Sequence, residues 1–298
     1  MTTSQGAGET RYMVLGLDGS AGSTAALNWA IRHTDVFGKI KPVMTWLLPW
    51  WASGAGSPGA YTPPPTVELQ LQAEDQLAVQ LERVTSPDLL PPVVVHGRPG
   101  PTLVDISEHA NLLVVGTRGR GALADTILGS VSTHVASHAT CPVAIVPEHA
   151  PSDHMFNRIV VGIDGSASSL HALEWATRLA DDATTIEVVH TWSPMPAGAL
   201  DSSVSIIDDL LAQSQRLAED TVAKAAAHLG IEAKRFDVRV EMGDARNILR
   251  DISKDADLLV VGARGHRGVA HLLLGSVATG LVHQPLVPTI VVPNHLDA

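Results

Sequence analysis

The residues best equipped for chemistry in this chain are glycines, serines and arginines that recur in one pattern. Gly116-Thr117-Arg118-Gly119-Arg120-Gly121 is followed by Gly129-Ser130-Val131, and Gly262-Ala263-Arg264-Gly265-His266-Arg267 by Gly275-Ser276-Val277. In both copies the spacing is Gly-x2-Gly-x9-Gly-Ser. Each loop directly follows an apolar run that ends in Val115-Gly116 or Val261-Gly262. Glycines let backbone N–H groups face an anion with no Cβ in the way. A Gly-Ser step that opens a helix adds unpaired N–H groups and a hydroxyl, which suits a phosphate. Arg118 and Arg120 bring positive charge and can hold a phosphate through two hydrogen bonds. One copy of three spaced glycines is weak evidence, and two copies can also be inherited turns that bind nothing.

A second candidate lies near the start of each half. Asp18 in Gly16-Leu17-Asp18-Gly19-Ser20 and Asp164 in Gly162-Ile163-Asp164-Gly165-Ser166 each end an apolar run. A carboxylate there can accept from ribose hydroxyls or an adenine amine. It can equally cap the following helix, although Ser20 and Ser166 are available for that task.

These segments are related by one shift of 146 residues, the separation of Gly16 from Gly162 and of Gly116 from Gly262. The same shift maps Trp29 onto Trp175, Trp46 onto Trp192, Gly97 onto Gly243, Pro142 onto Pro288 and Pro147 onto Pro293, without a gap. The chain therefore reads as two copies of one domain, 1–148 and 158–298, joined by a linker at 149–157. At 298 residues, each half is long enough for its own core.

The elements that must position the loops follow from periodicity. Strands are expected at Tyr12–Leu17, Pro42–Leu47, Val93–His96, Leu112–Gly116 and Pro142–Val146. The second half matches with Arg158–Ile163, Ile186–Trp192, Asp237–Glu241, Leu258–Gly262 and Pro288–Val292. These runs are almost wholly apolar, as in strands buried on both faces of a parallel sheet. Between them, helical spacing predicts Ala21–Asp35, Val67–Val84, Pro101–Ala110, Val131–Ala139 and Ile206–His228. The β-α alternation predicts an α/β fold of two tandem doubly wound domains with right-handed crossovers. Pro49–Pro65, rich in Pro and Gly and carrying Trp50, Trp51 and Tyr61, reads as a surface loop that covers a ligand, meets a partner or packs back on its own domain.

Composition excludes several classes. A net charge of −11 repels phosphate backbones, so general nucleic-acid binding is not expected. No apolar run approaches the ~20 residues of a membrane helix, and residues 1–10 lack the apolar stretch of a secretory signal, so a cytoplasmic protein is expected. The single cysteine, Cys141, permits no intrachain disulfide and reads as a small buried hydrophobe or a reactive thiol. There is no Gly-x4-Gly-Lys-Ser/Thr, no Gly-x-Gly-x-x-Gly after the first strand, and no Ser-Gly-Gly-x-Asp-Ser. His134 and His138 lie four apart with no third ligand nearby in sequence, so no metal site and no catalytic set can be named.

Asp at the end of strand one, followed after strand four by Gly-x2-Gly-x9-Gly-Ser, resembles the ATP-binding branch of the universal stress protein family, in the tandem form common in actinobacteria. The resemblance spans nearly the whole chain, once per half. It implies a five-stranded parallel sheet of order 3-2-1-4-5 in each half, with helices on both faces and Asp18 beside Gly116. It further implies that Gly16, Leu17 and Asp18 lie along adenine and ribose, and that Thr45 gives a backbone contact to the base. Val115, Gly116, Thr117, Arg118, Gly119, Arg120 and Gly121 would wrap ribose and phosphates, and Gly129, Ser130 and Val131 the phosphate tail. In the second half the matching set is Gly162, Ile163, Asp164 and Thr191, then Val261, Gly262, Ala263, Arg264, Gly265, His266 and Arg267, then Gly275, Ser276 and Val277. His266 in place of Arg120 would make the second site pH-dependent. The implied cofactor is ATP, with any Mg²⁺ held mainly by phosphate and water. The implied role is a nucleotide-dependent stress regulator acting on a protein partner. A slow ATPase or phosphotransferase, and a scaffold with vestigial sites, are the alternatives. The last strands, Val143–Val146 and Val287–Val292, would join the halves as a pseudo-dimer, and two chains would associate as a homodimer.

Overall fold

The computed structural model describes residues 11–48, 66–82, 84, 86–117, 129–150, 156–193, 204–265 and 274–294, with the backbone alone at 204–207. The Pro49–Pro65 segment, with Trp50, Trp51 and Tyr61, lies outside the described residues.

The first half contains strands β1 (Tyr12–Leu17), β2 (Lys39–Trp46), β3 (Val93–His96), β4 (Leu112–Gly116) and β5 (Val143–Val146). Its helices are α1 (Ala21–Arg32), α2 (Thr34–Phe37), α3 (Thr66–Glu82), α4 (Pro99–Ile106) and α5 (Ser130–His138). The second half contains β6 (Arg158–Ile163), β7 (Thr185–Trp192), β8 (Phe236–Met242), β9 (Leu258–Gly262) and β10 (Thr289–Val292). Its helices are α6 (Ala167–Leu179), α7 (Val204–Leu229), α8 (Ala245–Ile252) and α9 (Ser276–His283).

The ten strands form one sheet of order β3-β2-β1-β4-β5-β10-β9-β6-β7-β8. Each half has the order 3-2-1-4-5, and all pairings within a half are parallel. The halves meet where β5 and β10 run antiparallel, with Ala144 opposite Ile290. A strand that would have been an exposed edge in one half is thereby paired by the other, which removes an aggregation-prone edge.

The apolar runs split by side-chain alternation into two cores. Met13, Leu15 and Leu17 of β1 point to the face that carries Leu27 and Trp29 of α1, Leu173 of α6 and Val222 of α7. Val14 points to the opposite face, with Leu103 of α4, Val135 of α5, Leu249 of α8 and Leu281 of α9. Two-face burial explains why these strands lack polar alternation. On the first face the core runs through both halves. Phe37 stacks on Trp175 with ring centroids 5.6 Å apart, and His33 stacks on Phe156 at 4.6 Å.

Several boundaries differ from the sequence expectation for local reasons. Pro142 and Pro288 stand just before their strands, because proline has no N–H to give to a ladder. Their carbonyls still accept from Leu113 and Leu259, at 2.9 and 3.0 Å. The first helix breaks at His33, whose φ of −119° is not helical. The chain then turns at Gly38, which has φ +91° and no room for a Cβ against the Arg11 carbonyl. That turn lets β2 begin at Lys39, three residues before Pro42. Helix α4 begins at Pro99, where the missing N–H costs nothing.

One packing contact is exchanged between the halves. In the first, Gly100 of α4 makes room for His134 of α5, and an added Cβ would lie 2.6 Å from the His134 ring. The 146-residue shift maps these positions onto Arg246 and Gly280. There the glycine is on α9, and a Cβ would run into the Arg246 side chain of α8. The large and small partners have changed places. We therefore expect Gly280→His alone to overpack the α8–α9 contact and cost about 1–3 kcal/mol in urea unfolding. Arg246→Gly combined with Gly280→His should lose less than the sum of the two single changes.

Candidate functional site

β6 ends at Ile163, and the chain must then reverse into α6. Gly165, with φ +80°, makes the turn in the left-handed region that glycine favours. Ser166 caps α6, its hydroxyl accepting from the Ser169 N–H at 3.2 Å. Asp164 closes the turn: its Oδ1 accepts from the Ser166 N–H at 3.0 Å and from the Ser166 hydroxyl at 2.6 Å. The first half repeats this arrangement. Ser20 caps α1 through the Ser23 N–H at 3.1 Å, Asp18 Oδ1 accepts from the Ser20 N–H at 3.0 Å, and Gly19 has φ +77°. Serine, not aspartate, is therefore the helix cap in both copies.

The pattern glycines at the strand ends are required by close approach rather than by unusual φ. A Cβ on Gly262 would lie 2.5 Å from Ser168 Oγ and 2.7 Å from the Ser168 carbonyl carbon. A Cβ on Gly116 would lie 2.5 Å from the Gly22 carbonyl. Each glycine thus lets the first turn of α6 or α1 press onto the end of β9 or β4. The loop beyond Gly262 is then tied down. The Arg264 carbonyl accepts from the Ser168 hydroxyl. Gly265 comes so near Asp164 that a Cβ would sit 2.6 Å from Oδ2. The Ala263 carbonyl accepts from the Gly275 N–H at 2.8 Å, which fixes the residue that precedes α9.

These segments enclose a cavity of about 970 Å³ at the carboxyl ends of the second-half strands. Gly162, Ile163, Asp164 and Thr191 line it, as do Val261, Gly262, Arg264, Gly265, Gly275, Ser276 and Val277. Ala263 is buried behind the wall and acts through its backbone. Sequence reasoning missed the rest of the wall. His190, Trp192 and Ser193 come from the end of β7, Leu210, Gln213, Ser214 and Leu217 from α7, and Asp244 and Leu249 from α8 and its cap. For His190 a signal existed: its repeat mate is Met44, so an imidazole stands where the other copy has an apolar side chain. No comparable signal marks the α7 residues, which only packing brings to the cavity.

In the first half, Gly16, Leu17, Asp18, Thr45, Val115, Gly116, Thr117, Gly129, Ser130 and Val131 occupy the repeat-related positions on β1, β2, β4 and the start of α5. Arg118, Gly119, Arg120, Gly121, His266 and Arg267 lie outside the described residues. The Asp18 turn is held differently from its mate. Gln80 of α3 accepts from the Gly19 N–H at 3.1 Å and donates to Ser23 Oγ and Thr24 Oγ1 at 3.0 and 3.1 Å. Gln76 donates to the Asp18 carbonyl at 2.7 Å. The repeat mates of these glutamines are Val222 and Ala226, both buried in the apolar core.

Two other groups singled out by sequence have different surroundings. His134 and His138 stack with ring centroids 4.1 Å apart. Burial, then His138 and Arg98, hold His134 below the usual histidine range. Among the described residues, no three His, Cys, Asp or Glu side chains converge on a metal position. Cys141 is buried against the opposite core, and burial pushes its thiol up to about 11.

Residues 9–147 and 155–293 each match the universal stress protein family. A universal stress protein of Mycobacterium tuberculosis is 33% identical over 316 residues, covering 94% of this chain and 96% of its own. A second from that species is 30% identical over 316 residues, covering 95% and 97%. Among solved structures, a universal stress protein from Archaeoglobus fulgidus superposes with a TM-score of 0.65 at 20% identity, covering 96% of this chain and 100% of its own. A functionally unknown protein from Pseudomonas aeruginosa gives 0.62 at 14% identity, covering 96% and 93%. These two structures bear on the fold alone. Among the described residues, no helix is long and apolar enough to cross a membrane.

The close approach at Gly262 has a measurable consequence. Gly262→Ala should lower stability by about 1–3 kcal/mol in denaturant with no ligand added, whereas a glycine kept open only for a ligand would tolerate a methyl group. For Cys141, about one thiol in a thousand is ionised at pH 8 if it titrates near 11. Iodoacetamide should therefore leave the native protein nearly unlabelled at that pH and modify it rapidly once denatured.

Proposed function

The chain belongs to the universal stress protein family of stress-response proteins, and on that premise we propose that it binds one ATP in each half and acts as a nucleotide-dependent switch. The observation that carries this reading is the convergence of four separated segments on one cavity of about 970 Å³, near the upper end of the range that small ligands fill. The chemistry of its walls fits a nucleotide. Ile163 and Leu249 offer apolar surface for a base. Asp164 brings a carboxylate suited to ribose hydroxyls. Arg264 and the N-terminus of α9, opened by Gly275 and Ser276, suit phosphate. Gly265 permits backbone to pass close by without a side chain in the way.

ATP supplies charge, and with it any Mg²⁺, which phosphate and water would hold. The chain's own residues do the rest. Asp164 orients the sugar, the glycine loop wraps the phosphates, and the bound nucleotide alters the surface offered to a partner protein. The first half is proposed to do the same with Asp18, Thr45, Gly116, Gly129, Ser130 and Val131, together with Arg118 and Gly119.

Purified protein should release adenine nucleotide, near two per chain, when denatured and filtered. Added ATP at a hundred times its Kd should stabilise a site by about 2.7 kcal/mol, seen as a rise in Tm. Asp164→Ala should halve the released nucleotide and reduce the rise. Protein that releases none and gains no heat stability from ATP would overturn the nucleotide reading.

A further inference from the structure

The two halves differ in the wall that faces the base end of the proposed site. His190 of β7 is only 6% exposed, yet it lines the second-half cavity. Its repeat mate in the first half is Met44, at 3% exposure. Strand alternation puts His190 on the same face as Ile186 and Val188, beneath α6 and α7. Its Nδ1 lies 3.0 Å from the carbonyl oxygen of Ile163. A carbonyl only accepts, so Nδ1 carries the proton. In the neutral ring that leaves Nε2 as an acceptor, and among the described residues no group bonds to it. A methionine at this place offers no comparable acceptor.

The direction of a bound nucleotide follows from the sheet. Arg264, Gly275 and Ser276 stand on the β9 side of the cavity and suit phosphate. His190 and Trp192 stand on the β7 side. β9 and β7 flank β6, so the two walls are about 9.6 Å apart at the usual strand spacing. A nucleotide with its phosphates at α9 therefore presents its base to β7. A donor on that base meets an acceptor held in one tautomer by the protein backbone. From this geometry we infer that His190 Nε2 reads the exocyclic amine of an adenine base in the second site, so that this half selects 6-amino over 6-oxo purines by a contact the first half lacks. The inference rests on the nucleotide reading above.

The test compares ATP, ITP and 2′-deoxyATP. Binding to the second site is followed by NMR at the Trp192 indole N–H, which shares the cavity. In the wild-type chain ATP should bind more tightly than ITP, and in His190→Met this preference should fall by about 3- to 10-fold, the worth of one neutral hydrogen bond. Met44→His should leave the second-site preference as it is. The ¹⁵N resonance of His190 Nε2 should move with ATP and stay with ITP. It carries the test alone if methionine is not tolerated at 190. An ATP preference unchanged in His190→Met, or a loss that appears against 2′-deoxyATP instead of ITP, overturns the inference and leaves nucleotide binding standing. If no nucleotide perturbs Trp192 in the wild-type chain, the nucleotide reading of this site falls together with the inference.

Discussion

Helix α6 presses its first turn onto the end of β9, with no space for a side chain between them. Gly262 is the residue that permits this, and the rest of the site depends on it. Because the helix is so near, the hydroxyl of Ser168 reaches the Arg264 carbonyl and fixes the loop that leaves the sheet. The fixed loop brings Gly265 against Asp164, and Ala263 anchors Gly275 at the start of α9. A cavity bounded by β6, β9 and α9 is the geometric result. A methyl group at residue 262 would push the helix away and loosen each of these links in turn.

The duplication has preserved this constraint while its surroundings diverged. Gly116 meets Gly22 as Gly262 meets Ser168, and the Asp-Gly-Ser turn is built the same way twice. What holds the turn has changed. Polar Gln76 and Gln80 grip it in the first half, and their places in the second are taken by Val222 and Ala226. The contact between α4 and α5 has exchanged its large and small partners relative to that between α8 and α9. A backbone arrangement thus tolerates several side-chain solutions so long as volume and hydrogen bonding are conserved locally.

The halves are also bound to one another by more than a linker. The β5–β10 ladder continues the sheet across the junction, and Phe37 on Trp175 carries the core across the same boundary. Trp29 and Trp175, which are repeat mates, both contribute to this aromatic cluster.

The sequence by itself determined the repeat, the order of strands and helices, and the glycine pattern. Two-face burial leaves continuous apolar runs, and glycine is the residue with no Cβ, so both are written in residue type. It also marked Asp164 and Ser166, though not which of them caps the helix; that depended on rotamers within one turn. Only the tertiary structure decided the wall contributed by α7, the glutamine grip on the Asp18 turn and the place of His190. Gln80 and Gly19 are 61 residues apart, and their meeting depends on how α3 packs on β2 and β3 beside the start of α1. No local spacing encodes such a contact, because it arises only when side chains from separate elements compete for the same volume.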